Sequence, residues 1–385
     1  MASNGNSDPV LVIVQLTGGL DFMNTLIPYT EGTYYDSRPH VGIPQDQVLP
    51  LSGESPLGFH PAASRLKELY DGGDLAIVQG IGYPNSSRSH FRGMDIWHTC
   101  EPDVISTEGW IAKLVRELDP GSENPLTAVS FGRGLPRACA APGVTVTSVG
   151  DLDSYGLMTS IEQEQEREAN LDLFRRMYTP AVGAGVVRDY LGQTGRDVLS
   201  GADVLAEVPG KYTSTVEWGT NPIASALRDA ARVHTAGLGT RVFYTQHAGY
   251  DYHSHQPGNH DRLLGELSGA LSDFLTDLRN HDAADNVSVL VFTEFGRRIR
   301  DNGSGTDHGS GGGAYILGER VQGGLYAEYP SVKPKDWLNG EDLKHTIDFR
   351  GIYGTMLEQW MGIEASPIVG GDFEQVQPFA PKPAA

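Results

Sequence analysis

The sequence predicts an α/β fold, with a mostly parallel central sheet flanked by helices, and three observations carry that prediction. Its strand-like apolar runs are uninterrupted rather than alternating, helically spaced apolar stretches separate them, and each run ends in polar residues. In such sheets ligands bind outside the carboxyl ends of the strands. The turns after the runs are therefore where functional residues are expected.

The first run, VLVIVQLTGG at residues 10–19, reads as a strand buried on both faces, with Asp21 just beyond its end. LAIVQGIG at 75–82 repeats the pattern and leads into YPNSSRSHF, whose polar residues could cap a helix over 91–98. RVFYTQHAG at 241–249 and NVSVLVFTEFG at 286–296 are two more runs of this kind. Between them, Leu263, Leu264, Leu267, Leu271, Phe274, Leu275 and Leu278 fall at three- and four-residue spacing and predict one long helix packed on the sheet. Further helices are expected over 161–178, 190–208 and 224–238. No internal repeat or long linker divides the chain, so the expectation is a single α/β domain over 1–385 with a candidate helical insertion at about 140–220. The closing PFAPKPAA reads as mobile.

Charge narrows the partners. Asp and Glu outnumber Lys and Arg 49 to 29, giving a formal charge of −20, which argues against nucleic acid because phosphate contacts need basic surplus. A metal cation suits this surface better. EFGRRIR is the local exception, with Arg297, Arg298 and Arg300 placed to meet an anion. Cys100 and Cys139 are the two cysteines, enough for one disulfide but not for a disulfide framework or a Cys-based zinc site. No run approaches eighteen apolar residues, so no membrane span is read. The start, MASNGNSDPV, lacks the basic and apolar regions of a signal peptide and reads as a flexible leader.

The chemistry-bearing residues cluster after the strands. GYDYHSHQPGNH at 249–260 holds Asp251, His253, His255 and His260, in a chain with 12 histidines. TEFGRRIRDNGSGTDHG holds Glu294, Asp307 and His308, GGLDFMN holds Asp21 and Asn24, and SSRSHF holds Ser89 and His90. Carboxylates and imidazoles are the ligands expected for zinc, manganese or iron. Taken singly, each histidine fits a surface or capping role equally well; it is their combination at one sheet edge that points to a metal.

LVIVQLTGGLDFMNTLIPY, NSSRSHFRGMDIWHT, GYDYHSHQPGNHDRLL and FTEFGRRIRDNGSGTDHG, in this order, resemble the family called domain of unknown function 1501, a branch of the alkaline phosphatase and sulfatase superfamily. The resemblance implies an alkaline-phosphatase-like fold, one or two divalent metal ions and a hydroxyl nucleophile at a helix start. Zinc or manganese is favoured, with calcium a further candidate. It assigns Asp21, Asp251 and His253 or His255 to the metal. Glu294 stands where relatives often carry Asp-His, but Phe295 follows it, and Asp307 or His308 is the replacement for the missing ligand. Ser89 is the expected nucleophile, beside His90, with Ser86 and Ser87 as alternatives. A helix amino end and a metal both lower the cost of an alkoxide there, while the competing reading makes these serines helix caps. Arg88 could grip an oxyanion, and Asp348 could orient a ligand histidine or cap the closing helix.

The implied function is a metal-dependent hydrolase of phosphate or sulfate esters, acting on an anionic ester substrate. Neither cysteine lies in the Cys-x-Pro-x-Arg pattern of formylglycine sulfatases, which weighs against that mechanism. The rival readings are a binding or surface-associated protein that keeps the fold without catalysis, and a phosphomutase. Twin-arginine export in family members implies a periplasmic or secreted protein, with the cytoplasm as alternative. Oligomeric state is not set by the sequence.

Overall fold

A computed structural model describes residues 8–53, 55–132, 134–155, 163–178, 201 and 204–380. Its centre is a nine-stranded sheet. In chain order the strands are β1 (Val10–Thr17), β2 (Leu75–Gly82), β3 (Ala128–Phe131), β4 (Thr147–Val149), β5 (Val242–Ala248), β6 (Val287–Thr293), β7 (Gly312–Leu317), β8 (Gly324–Tyr326) and β9 (Ile347–Asp348). Across the sheet they run β8-β2-β7-β6-β1-β5-β3-β4, and β9 also pairs with β2. Among the described residues of this sheet only the pairs made by β7 are antiparallel, so the other strands share one direction, as the sequence predicts.

The four apolar runs are strands at or within three residues of the expected ends, because both faces of these strands are covered. On β1, Val10, Val12, Val14 and Leu16 point into one hydrophobic cluster while Leu11 and Ile13 point into the other. The first cluster is closed by α2 (Ser64–Asp71), α5 (Pro222–Thr235) and α6 (Gln256–Asn280). The second is closed by α3 (His90–Thr99), α4 (Trp110–Leu118) and α7 (Phe349–Gly354). The predicted leucine stripe is buried along α6; each such side chain contributes roughly 1.5–3 kcal/mol on burial, more than intrinsic helix propensity supplies.

A four-residue helix, α1 (Phe22–Thr25), follows β1 and is capped by Asp21, whose carboxylate accepts from Asn24 N. The helix expected over 161–178 is present at Glu164–Tyr178. The one expected over 190–208 lies largely outside the described residues. Cys100 and Cys139 are free, buried thiols rather than a disulfide. Among the described residues no helix is long and apolar enough to cross a membrane.

Candidate functional site

Parallel strands deliver their following residues to one edge. Gly18 and Gly19 follow β1, Asp251 lies three residues past β5, Glu294 follows β6, and the chain after β2 turns into α3 with Ser89 as its N-cap residue and His90 as its first residue. The turns after β1 and β5 touch: a side chain at Gly18, where φ is +120°, would place Cβ 2.4 Å from Asp251 N. A backbone approach this close requires glycine.

His308 arrives by a different route. Between β6 and β7 the chain forms a hairpin-like return, with Arg298 N donating to Asp307 O at 3.0 Å and Gly309 N to Gly296 O at 2.9 Å. Arg297 pins this return from beneath. Its guanidinium is buried and donates to Gly18 O, Gly19 O, Tyr250 O, Thr306 O and Asp251 Oδ1. The arginine read from sequence as an anion contact is thus spent on the loops themselves.

Three imidazoles converge on the Asp251 carboxylate. His308 Nε2 lies 3.0 Å and His253 Nε2 3.2 Å from Oδ1, and His90 Nε2 lies 3.4 Å from Oδ2. The Nε2 atoms of His253 and His308 are 2.9 Å apart. Ligand atoms of His90, Asp251 and His308 all fall within 4.8 Å of one another. Each ring is held from behind through Nδ1: His90 by Glu294 Oε1 at 2.8 Å, His253 by Asp307 Oδ1 at 3.1 Å and His308 by Arg88 O at 2.8 Å. An ionised carboxylate or a carbonyl only accepts, so each Nδ1 donates and each neutral ring presents an unprotonated Nε2 to the centre. His90 Nε2 is buried without a hydrogen-bond partner.

The charges respond to this packing. Burial would raise the Asp251 carboxyl, but the hydrogen bond and positive charge of Arg297 overcome it and pull its pKa down to about 2. The Glu294 hydrogen bond holds His90 above the usual imidazole range, whereas burial pushes His308 below it. Glu294 itself is buried, accepting from Gly18 N at 2.9 Å and from the Thr293 hydroxyl at 3.0 Å as well as from His90.

Of the residues singled out by sequence, the fold thus brings Asp251, His253, His308 and His90 together, with Glu294 and Asp307 directly behind them. Phe295 packs against the rings of both His90 and His308, its centroid 4.9 Å from each. Asp21 is not in the cluster. It is fully buried, with Oδ2 taking hydrogen bonds from Arg38 and Gln256, both at 2.5 Å. His255 is exposed in a left-handed conformation at the start of α6, beside Ser254. His260 is buried inside α6 against Tyr252 at 2.7 Å. Ser89 is exposed and its side chain makes no capping bond to α3. Arg88 turns away, pairing with Asp342 at 2.7 Å and Glu341 at 3.2 Å. Asp348 caps α7 through Arg350 N at 2.9 Å.

Arg38 and Gln256 were not legible as site residues. Arg38 also donates to the carbonyls of Arg298 and Ile299, and Gln256 accepts from the Thr306 hydroxyl. Together with Asp21 they fix the return that carries Asp307 and His308.

No curated protein matches the sequence. Solved structures that align with the fold include a protein of the alkaline phosphatase superfamily from Vibrio parahaemolyticus, 12% identical with a TM-score of 0.42, covering 98% of this chain and 72% of that one. A putative sulfatase from Bacteroides thetaiotaomicron is 11% identical at a TM-score of 0.39, over 97% and 77%. The alkaline phosphatase of the Antarctic bacterium TAB5 is 11% identical at 0.30, over 83% and 95%. These likenesses are too distant to carry a reaction across. The family described as "Protein of unknown function (DUF1501)" matches residues 219–369, which include Asp251, His253, Glu294, Asp307 and His308. Two of the four motifs that carry the resemblance, GYDYHSHQPGNHDRLL and FTEFGRRIRDNGSGTDHG, lie within that stretch.

Proposed function

We propose that the protein is a metal-dependent hydrolase of phosphate or sulfate esters. The observation that supports this most is the trio of imidazoles whose Nδ1 atoms are all tied back, leaving three Nε2 lone pairs turned toward the Asp251 carboxylate, with the ligand atoms of His90, Asp251 and His308 mutually within 4.8 Å. Hydrogen bonding alone explains such an arrangement poorly, because His253 Nε2 and His308 Nε2 at 2.9 Å would be two acceptors facing each other. A divalent cation resolves the conflict, and a donor set of imidazole and carboxylate suits zinc or manganese.

In this reading His90, Asp251, His253 and His308 hold the ion. Glu294 and Asp307 orient two of the rings, the backing that ligand histidines ordinarily need. When bound, the metal would polarise the ester and favour an ionised nucleophile beside it. Ser89 is the nucleophile proposed here, since it adjoins His90, is exposed and lies at the amino end of α3, where partial positive charge stabilises anions. Its hydroxyl oxygen attacks the phosphorus or sulfur, the alcohol leaves, and water later releases the serine ester. Asp21, Arg38 and Gln256 take a positioning role. The exported location implied by the resemblance belongs to the same reading.

One observation favours the rival, a binding protein without turnover: Arg88 is engaged with Asp342 and Glu341 and so is not free to grip an oxyanion. The two readings separate in one assay. Chelated protein is reloaded with zinc or manganese and offered aryl phosphate and aryl sulfate. Turnover that disappears with chelation and returns with metal supports the hydrolase; bound metal with no turnover supports the rival. Ser89→Ala should abolish turnover and keep the metal, and if turnover persists, Ser86 and Ser87 become the nucleophile candidates.

A further inference from the structure

Beside the imidazole cluster lies a cleft of about 530 Å³, within the ~300–1,000 Å³ range of small-molecule sites. Asp251, His90 and Glu294 form one end of it. The rest of the wall comes from the ends of β1 and β5, from Arg137 and from α3, where Phe91, Met94, Asp95 and His98 line the space. Resting on the reading that the cluster holds the ester group, we propose that this cleft receives the alcohol part of the substrate and that this part is apolar, an aryl or arylalkyl group rather than a sugar or a nucleotide.

The polar groups around the cleft support an apolar occupant, because they are already engaged with one another. His98 Nε2 meets Gln15 Oε1 at 2.8 Å, and Tyr244 donates to the same oxygen. Arg137 is held by Asp95 at 2.8 Å and by Ser106 O, and Asp95 also takes Arg92 at 2.5 Å. Two buried side-chain atoms of the wall lack a hydrogen bond: His90 Nε2, which belongs to the metal site, and Asp95 Oδ1, which is ion-paired with Arg137. A ligand rich in hydroxyls would leave its own donors unpaired there, which is costly.

The lining includes one large apolar side chain that is almost fully exposed. Phe91 is 92% exposed although it adjoins His90, and Ile105, which precedes the Ser106 that holds Arg137, is 78% exposed. Leu135, two residues before Arg137, is also exposed. An exposed phenyl ring recovers hydrophobic free energy only when something apolar covers it. Scattered exposed apolar residues such as Ile105 and Leu135 are ordinary; the distinguishing feature of Phe91 is that it lines a cleft whose other end is the candidate metal centre.

The test uses 1-naphthol as probe, titrated by fluorescence into chelated and zinc-loaded protein, so that binding is read without catalysis. Binding is expected in both states, about tenfold weaker in Phe91→Ser and Met94→Glu and unchanged in Leu325→Ala. Phe91 makes little contact in the free protein, so its variant should keep a native circular dichroism spectrum. No binding to the wild type, or unchanged binding to a natively folded Phe91→Ser protein, overturns the proposal. A second arm compares 2-phenylethyl phosphate with ethyl phosphate, whose leaving groups differ little in chemistry. A higher kcat/KM for the phenylethyl ester, reduced in Phe91→Ser, supports the apolar subsite. Equal turnover of both esters overturns it while leaving the hydrolase reading intact. Naphthol binding with no turnover of either ester sinks the hydrolase reading and leaves the apolar site standing.

Discussion

Asp21 and Asp251 lie after neighbouring parallel strands of one sheet, only a few residues past the strand ends, yet they sit in opposite environments. Asp21 is sealed from solvent and matched by Arg38, Gln256 and the Asn24 amide. Asp251 is about half exposed, held on one side by Arg297 and faced on the other by three imidazoles. A carboxylate already surrounded by fixed donors has little left to offer an ion, whereas one surrounded by unprotonated nitrogens is a ligand in waiting. A carboxylate's place at a strand end therefore decides its role less than the side chains packed over it.

Breaking the buried side of this contrast should have the largest effect. Arg38→Met leaves the Asp21 charge unpaired in the interior and is expected to cost roughly 3–5 kcal/mol, read from denaturant unfolding. Because Arg38 also holds the carbonyls of Arg298 and Ile299, the same variant should bind metal more weakly. An unfolding midpoint equal to wild type would mean that Asp21 is not the buried partner described.

Acid provides the next probe. Burial pushes His260, beside Asp21, down to a pKa of about 4. The folded state thus refuses a proton that the unfolded chain takes near pH 6.5. Stability from this group is complete above about pH 6.5, falls as pH drops towards 4, and is level below that, a loss of up to roughly 3 kcal/mol. Unfolding free energies measured from pH 7 to 4 should show this slope, and His260→Gln should flatten it. A slope of the same size in that variant would assign the loss to another group.

At the exposed centre, smaller and different effects are expected. Asp307→Asn weakens the support of His253 and should lower metal affinity about 10–100-fold, measured by competition with a chromophoric chelator. The same variant should stay within about 0.5 kcal/mol of wild-type stability, since the Asp307 side chain is partly exposed. Metal affinity that does not move, or stability that falls by several kcal/mol, would erase the distinction between the two carboxylate environments.

The strands were legible because β1, β2, β5 and β6 are apolar on both faces, which needs no partner to be named. β7 was not, since GGAYIL opens on two glycines and its antiparallel sense depends on how the 294–311 return folds. Asp251, His253 and His308 could be read as candidates from residue type and strand-end position. Their separation from Asp21 could not, because it is set by Arg38, an arginine in YYDSRPH with no periodicity or motif to mark it. Glu294 was readable as a site carboxylate, but its place behind His90 depends on hydrogen bonds to Gly18 and Thr293 that only the sheet register creates. The polar Gln15 inside an apolar strand was a visible signal of a buried network, and its partners His98 and Tyr244 lie too far along the chain to be paired by inspection.

The central claim is that three imidazoles and Asp251 form a metal centre, and metal stoichiometry tests it most directly. Chelated protein is titrated with zinc and the bound metal counted by elemental analysis after desalting, for the wild type and for the double variant His253→Ala/His308→Ala. Both histidines are partly exposed and neither is needed to pair a buried charge, so the variant should fold. The account predicts at least one tightly held ion per wild-type chain and its loss in the variant. A wild type that retains none, or a variant that retains as much as the wild type, contradicts it.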